Sequence, residues 1–485
     1  MIGRLLERRT PRVLAALASG VLLFFSLGLT PWWPAAWLAP VPLLAAAFRA
    51  EAWEARRLAW LAAAIGLSSN VTYYWRVTGL AMTVVLTILQ ILLWGFFVAR
   101  TRAVVTLTRS WAGVFAFPAL AAGLDTLVAA ISPHGTWGSL AYTQVNVLPM
   151  IQIASVLGAA AVVFTVALGA STLAVAAHHG RRIEHPALAY GLPVLLIAGV
   201  LAYGVVRLRE APPEPTVKVG LAAVDDYIGP PVPQKHRDAV WARYDRLVGR
   251  LAAQGARIVV LPEKIGELDP AQARARRREL ASLAKQGGVD LVAGVQLDQP
   301  GRDDRKYNAS WLFGSNGALL AEYHKQQLVP GLEGDLVPGH ESMVRRLDGV
   351  PFGLVICRDL LFPGVGRRYG RLGVAALLDP AWDFGRDAWM ETATAILRGV
   401  ESGYSVVRAG RDGYLDVSDR YGHTVARAPS ASLPGRSLLA DLPLGPARPT
   451  IYARYGDVFG WLCVVASALC LALPRRALGA APSGG

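Results

Sequence analysis

The run "GLVICRDLLFP" (353–363) ends an apolar stretch on a thiol, Cys357, and follows it at once with Arg358 and Asp359. The other two cysteines, Cys463 and Cys470, lie on one face of an apolar C-terminal stretch and read as small packing residues. A lone thiol in a globular segment has no internal disulfide partner, so it is either inert or reactive. A reactive one is a poor nucleophile until deprotonated, and needs a base and a cation within reach. Two other stretches offer these where a strand runs out. "IVVLPEKIGEL" closes its apolar run on Pro262 and Glu263, and a carboxylate desolvated by Val259, Val260 and Leu261 accepts a proton more readily. "YHKQQLVPGLEGD" puts His324 and Lys325 at a strand end, with Glu333 further on. A fixed ammonium there can stabilise a thiolate and the oxyanion of a tetrahedral intermediate. Taken singly, each residue also fits an ordinary solvated strand end.

Other chemistries lack their residues. No Cys-x-x-Cys or His-Glu-x-x-His pattern is present and the eight histidines are scattered, so no metal is expected. There is no Gly-x-Ser-x-Gly elbow, Walker loop or dinucleotide fingerprint, so no cofactor is expected either.

The elements that must position these residues lie in 216–445, after the Pro-rich "EAPPEP" (210–215). Short β-branched runs ("VKVGLAAV", "ARIVVLPE", "VDLVAGV", "NASWLFGS", "FGLVICRD", "VAALLDP", "GYSVVRAG") alternate with amphipathic segments ("DAVWARYDRLVGRLAAQG", "AQARARRRELASLAKQGG", "RDAWMETATAILRGVESG"). "GSNG" reads as a hairpin turn. This mixture predicts one α/β domain. "LLFPGVGRRYG" (360–370) reads as a mobile surface loop that meets lipid headgroups through Arg367 and Arg368.

The rest of the chain is built for lipid. Of 485 residues, 53% are hydrophobic and only 17% charged, against about 25% in a soluble protein. Apolar stretches near 13–30, 35–49, 58–75, 79–99, 111–131, 148–177 and 187–206 approach the ~20 residues a bilayer span needs. The second is short and Pro-rich, and the sixth is long enough for a tilt or an interfacial turn. Arginines cluster at the N-terminus and in "FRAEAWEARR", "ARTRAVVTLTR" and "HHGRRIEH", while the alternate loops are aromatic. The positive-inside rule then puts the N-terminus in the cytoplasm, and about seven spans deliver the next domain outside. A last span near 455–473 returns to the basic "PRR". The expected domains are 1–210 (membrane), 211–450 (catalytic) and 451–485 (final helix and tail). The net charge of +14 lies in these clusters with no nucleic-acid motif, so no nucleic acid is expected as a partner.

"LPE", "YHKQQLVP" and "ICRDLLFP", in this order, resemble the nitrilase superfamily of Glu–Lys–Cys enzymes, and specifically its membrane branch, the apolipoprotein N-acyltransferase family. "PWWPAAWLAPVPLL", "NVTYYW" and "SLAYTQVNVLPMIQIASVLG" are similar to that family's membrane segments, so the resemblance covers essentially the full chain. It implies an α-β-β-α sandwich beside a polytopic helical domain. It implies Glu263 as general base, Lys325 as electrostatic stabiliser and Cys357 as nucleophile, supported by Glu333 and Asp359. Trp382 and Phe384 of "PAWDFG" fall at the substrate mouth, with Arg358 where the family usually has an aromatic residue. Gly410, Arg411 and Asp412 depart from its small polar residue and asparagine, and "PAWDFGRD" lacks the usual Asn/Asp-rich lead into the aromatic pair. The implied reaction moves an acyl chain from a membrane phospholipid through a Cys357 thioester to the N-terminus of a diacylglyceryl-modified lipoprotein. It implies a bacterial inner-membrane protein, taken as a monomer, with the catalytic domain on the periplasmic face. Two alternatives keep the fold: a membrane-anchored amidase or other carbon–nitrogen hydrolase with water as acceptor, and a degenerate envelope scaffold.

Overall fold

The computed structural model describes residues 8–472 apart from 109, 227–228, 230–231, 299–305 and 447. The expected basic flanks at 4–7 and 474–476 lie outside the described residues. The chain divides into two compact units. One holds the residues up to Ser132, Gly138–Arg209 and those from Asp457 on; the other holds Pro133–Trp137 and Glu210–Gly456.

The first unit is helical. Among the described residues, five helices are long and apolar enough to cross a membrane: Arg9–Leu27, Leu80–Thr108, Trp111–Ile131, Ala159–Arg182 and Ala187–Arg209. The third expected span falls in Ala52–Thr78, a 27-residue helix whose polar Ser, Asn and Tyr residues leave it outside those five. The second expected span is broken into Trp33–Leu38 and Pro40–Ala47. A proline at 40 has no N–H to donate and suits a helix start rather than an interior. The sixth is broken as well: Leu148–Ile151 and Ala154–Leu157 precede Gly158, whose φ of +77° ends the run before Ala159–His179.

The second unit is a sandwich of two sheets. The first carries β1 (Thr216–Ala223), β2 (Ile258–Val260), β3 (Glu267–Leu268), β4 (Asp290–Asp298), β5 (Lys306–Phe313), β6 (Leu319–His324) and β13 (Arg436–Pro443), in the order β13-β1-β2-β4-β5-β6 with β3 beside β4. The second runs β12-β11-β10-β9-β8-β7, from β7 (Met343–Leu347), β8 (Val350–Leu354), β9 (Ala376–Trp382), β10 (Ser405–Arg411), β11 (Tyr414–Ser418) and β12 (Thr424–Pro429). Strands β1-β2-β4 and β8-β9-β10 are parallel, and antiparallel strands flank them.

Period-2 alternation explains the layers. Val219, Leu221, Ile258 and Val260 face inward to join Leu354, Ala376, Leu378 and Val407 in one core between the sheets. Val259 and Leu291 face outward onto α1 (Gln234–Ala253) and α2 (Pro270–Gly287). Leu377 and Val406 face outward onto α3 (Pro363–Arg371) and α4 (Ala388–Ser402). Burying each such side chain contributes about 1.5–3 kcal/mol. In α1, Val240, Tyr244, Leu247 and Leu251 recur on one face. Asp269 caps α2 by accepting from the N–H groups of Ala271 (2.8 Å) and Gln272 (2.9 Å). The result is the four-layer α-β-β-α sandwich expected from the resemblance.

Residues 360–370 are not a mobile loop. They finish a short 3-10 turn and form α3, with Pro363 in its first turn. Val365, Gly366, Tyr369 and Gly370 are buried on one face. Burying Tyr369, whose hydroxyl accepts from the N–H of Met343 (3.1 Å), outweighs the weak helix propensity of a Gly-rich segment. Arg367 lies over the Tyr452 ring at 5.9 Å, and Arg368 donates to Gln326 Oε1 (3.3 Å), so both arginines have protein partners.

Candidate active site

Glu263, Lys325 and Cys357 each follow a strand, and in each case the local sequence fixes how the chain leaves the sheet. After β2, Leu261 N–H donates to Val292 O (2.8 Å) and Gly294 N–H to Pro262 O (3.1 Å), which prolongs the pairing up to Glu263. A Cβ on Gly294 would stand 2.7 Å from Glu263 Cα, so only glycine lets the loop close onto β4. Lys325 follows β6 directly, and its N–H donates to Asn308 O (2.9 Å).

Strand β8 stops at Leu354, earlier than the apolar run suggests, because its parallel pairing with β9 covers only Phe352–Leu354. Cys357 then opens the turn Cys357–Leu361 with φ +47°, a left-handed conformation that costs a non-glycine residue roughly 1–2 kcal/mol. Its N–H donates to Asp379 Oδ1 at 2.6 Å, and its S–H points to the Trp382 carbonyl at 3.7 Å. Strain of this kind, held by a short hydrogen bond to a buried carboxyl group, presents the sulfur away from the ladder.

The side chains of Glu263 and Lys325 meet in a buried polar cluster. Lys325 Nζ donates to Glu263 Oε1 (2.8 Å) and pairs with Glu333 Oε2 (3.0 Å). Asn308 Nδ2 donates to Glu263 Oε1 (2.5 Å) and Glu333 Oε1 (2.9 Å). Lys264 Nζ sits 2.7 Å from Glu333 Oε1, and Val329 N–H donates to Oε2 (2.8 Å). Lys325 is 1% exposed and Glu263 2%. Burial works against the Lys325 ammonium, but the charges of Glu263 and Glu333 outweigh it and hold its pKa above the usual lysine value. Burial works against the Glu333 carboxylate, yet Lys325 and Lys264 hold it down at about 2. Burial, and then the charge of Glu263, push the Cys357 thiol well above its usual range; Lys325 and Arg408 oppose this. The resting thiol is therefore protonated, beside a carboxylate and an ammonium whose charges both act on it. A proton passed from Cys357 to Glu263 leaves the net charge of such a pocket unchanged, so the thiolate forms without burying a new charge.

Asp359 is fully buried and ties the Cys357 turn to the Lys325 loop. Its Oδ2 accepts from Tyr323 OH (2.6 Å) and Ile356 N–H (3.1 Å), and its Oδ1 from the N–H groups of Gln326 (3.1 Å) and Gln327 (2.8 Å). Burial pushes its carboxyl up to about 6 against these bonds. Arg358 is buried; its guanidinium donates to Pro133 O and lies over Phe362 at 5.6 Å. Trp382, at the end of β9, donates its ring N–H to Asp412 Oδ2 (2.8 Å) under the Arg411 guanidinium (3.9 Å). Phe384 is 46% exposed.

Sequence reasoning missed several members of this cluster. Asn308 sits inside the strand "NASWLF", and Asp379 inside "ALLDPAW". Arg408 of β10 pairs with Asp379 Oδ2 (3.3 Å) and donates twice to Asp383 (3.0 and 2.5 Å). Glu391, in the first turn of α4, acts electrostatically on Cys357, and burial pushes it up to about 8. The one available signal was an isolated charged or amide residue inside an otherwise apolar strand. Among the described residues, no group of three or more His, Cys, Asp or Glu side chains could hold a metal ion.

Residues 19–172 match a family described as apolipoprotein N-acyltransferase N-terminal domain, and residues 227–434 match carbon–nitrogen hydrolase. An apolipoprotein N-acyltransferase of Geobacter metallireducens is 29% identical, over 96% of this chain and 95% of its own length. One from Bradyrhizobium diazoefficiens is 28% identical, over 70% and 69%. Among solved structures, an amidase from Nesterenkonia sp. is 23% identical with a TM-score of 0.41, covering 47% of this chain and 90% of that one.

Proposed function

The chain belongs to the apolipoprotein N-acyltransferase family, the membrane branch of the carbon–nitrogen hydrolase superfamily, and from that premise we propose a ping-pong acyl transfer through Cys357. The donor is a membrane phospholipid. The acceptor is the α-amine of an S-diacylglyceryl cysteine at a lipoprotein's N-terminus. The observation that carries this reading is the buried Glu263–Lys325 pair (2.8 Å), both of whose charges act on the Cys357 thiol, with Glu333 holding Lys325 from its other side (3.0 Å).

Glu263 takes the proton from Cys357, and the thiolate attacks the ester carbonyl carbon. Lys325 and the backbone N–H of Arg358 stabilise the oxyanion. As the ester C–O bond breaks, Glu263 returns the proton to the departing lysophospholipid alkoxide, leaving an acyl-thioester. The acceptor amine, in its neutral form, attacks that thioester and gives a proton to Glu263. The C–S bond breaks, the amide is released, and Glu263 reprotonates the sulfur. Trp382 and Phe384 border the entry for the acyl chains. In this reading the protein lies in the bacterial inner membrane, and the clustered arginines support a periplasmic position for this domain.

The test is mass spectrometry of the full chain after exposure to phospholipid alone. One acyl mass on the peptide bearing Cys357, absent in Cys357→Ala and discharged by a diacylated lipopeptide to a triacylated product, is the expected result. Acylation of the lipopeptide by the Cys357→Ala protein would overturn the scheme. Release of free fatty acid in place of the triacylated product would mark water as the acceptor.

A further inference from the structure

Lys264 follows the candidate base directly in sequence, yet it adopts φ +48°, a left-handed conformation that side-chain-bearing residues avoid. Two contacts go with it. The Lys264 carbonyl accepts from Arg411 Nη1 (3.1 Å), and the Lys264 ammonium pairs with Glu333 Oε1 (2.7 Å). Arg411 is itself buried and stacked on Trp382. A short chain of contacts therefore runs from the mouth residue Trp382 through Arg411 and Lys264 to Glu333.

The charges explain what this chain of contacts does. Without Lys264, the single ammonium of Lys325 would face two buried carboxylates, Glu263 and Glu333, and the cluster would carry one net negative charge. A thiolate and then an oxyanion would have to form against that charge, with Lys325 drawn toward Glu333. With Lys264 in place, two ammoniums balance two carboxylates. We propose that Lys264 is a positioning residue for the Cys357 chemistry: it neutralises Glu333, so that Lys325 remains committed to Glu263 and the sulfur. Arg411, which lies where the family usually differs, secures the backbone that lets Lys264 reach. The inference rests on Cys357 being the nucleophile. Glu263, Lys325, Glu391 and Arg408 act on the thiol directly, and Arg358 is coupled to it; none of them is altered in the test.

The experiment is the pH dependence of Cys357 alkylation by iodoacetamide in the full-length protein, with Cys463 and Cys470 replaced by alanine so that one thiol reports. Lys264→Met is expected to alkylate about tenfold more slowly at pH 8, with its profile moved to higher pH, because the added net negative charge opposes the thiolate. Lys264→Arg keeps the cation and is expected to move the profile back. Lys264→Gly accepts the left-handed backbone freely but lacks the ammonium, so it is expected to be as slow as Lys264→Met, and it decides alone if the methionine variant does not fold. An unchanged profile in Lys264→Met, or recovery in Lys264→Gly, would overturn the proposal. Alkylation needs neither phospholipid nor lipopeptide, so this result stands apart from whether the thiol goes on to carry an acyl group.

Discussion

The two units bury different things. The helical unit buries small and neutral polar residues: Ser19, Asn70, Thr101, Gln144, Gln152 and Ser171 lie inside it, and none of its described buried polar residues is charged. Many of its large apolar side chains point out, with Leu195 at 70% exposure and Val85 and Ile88 above half. The sandwich does the reverse. It buries Trp311, Tyr323 and Phe313 together with Glu263, Lys325, Glu333, Asp359, Asp379, Arg398 and Arg408. Lipid is as apolar as leucine, so helices in it gain by close approach of small residues, and an interior charge has no rigid partner waiting. Two stacked sheets fix several backbones at once, and charges can then be buried in satisfied pairs. Reactive groups of unusual proton affinity belong in the second setting.

Four variants sharpen or break that contrast. Cys357→Ala should cost several powers of ten in acyl transfer while leaving the melting transition in place, because a small apolar residue suits the site. Glu333→Gln leaves the buried Lys325 ammonium and the part-exposed Lys264 ammonium short of a carboxylate and should cost about 3–5 kcal/mol, read by thermal or urea unfolding. The same variant tests the acid side. Glu333 is held at about 2 when folded against an ordinary value of 4.5, so its contribution is full above pH 4.5 and is lost as pH falls toward 2; the glutamine variant should lack that loss. In the helical unit, a Cβ on Gly66 would stand 2.5 Å from Leu23 Cβ, so Gly66→Leu should cost about 1–3 kcal/mol by overpacking. Leu195→Ala, on an outward face, should stay within about 0.5 kcal/mol in a lipid-like detergent; a larger loss would mean that this face is covered by protein.

Much of this was legible in the chain. Period-2 runs such as "VKVGLAAV" and "VDLVAGV" mark β1 and β4, and "LPE", "YHKQQLVP" and "ICRDLLFP" mark where three strands release their side chains. Strands β7, β11, β12 and β13 were not legible, because arginine, aspartate and proline interrupt "MVRRL", "YLDVS", "TVARAP" and "RSLLADLP". Cross-strand neighbours compensate for that composition, as where Arg427 of β12 donates to Asp416 of β11 (3.0 Å). Helix α3 was hidden by its proline and glycines, since the apolar face that stabilises it is supplied from elsewhere. Lys264, Asn308 and Asp379 were hidden because pairing across a fold leaves no local spacing to detect.

The five residues Pro133–Trp137 belong with the sandwich, although the chain on either side of them does not. Thr136 gives both its N–H (3.0 Å) and its hydroxyl (2.6 Å) to the carbonyl of Leu361, and Pro133 takes the Arg358 guanidinium. The sandwich unit is thus discontinuous in sequence. A truncated protein cut to begin at Glu210 would leave the turn that carries the thiol missing its outer brace. Any soluble version should restore that pentapeptide, grafted or added in trans, before loss of activity in it is blamed on the absence of a bilayer.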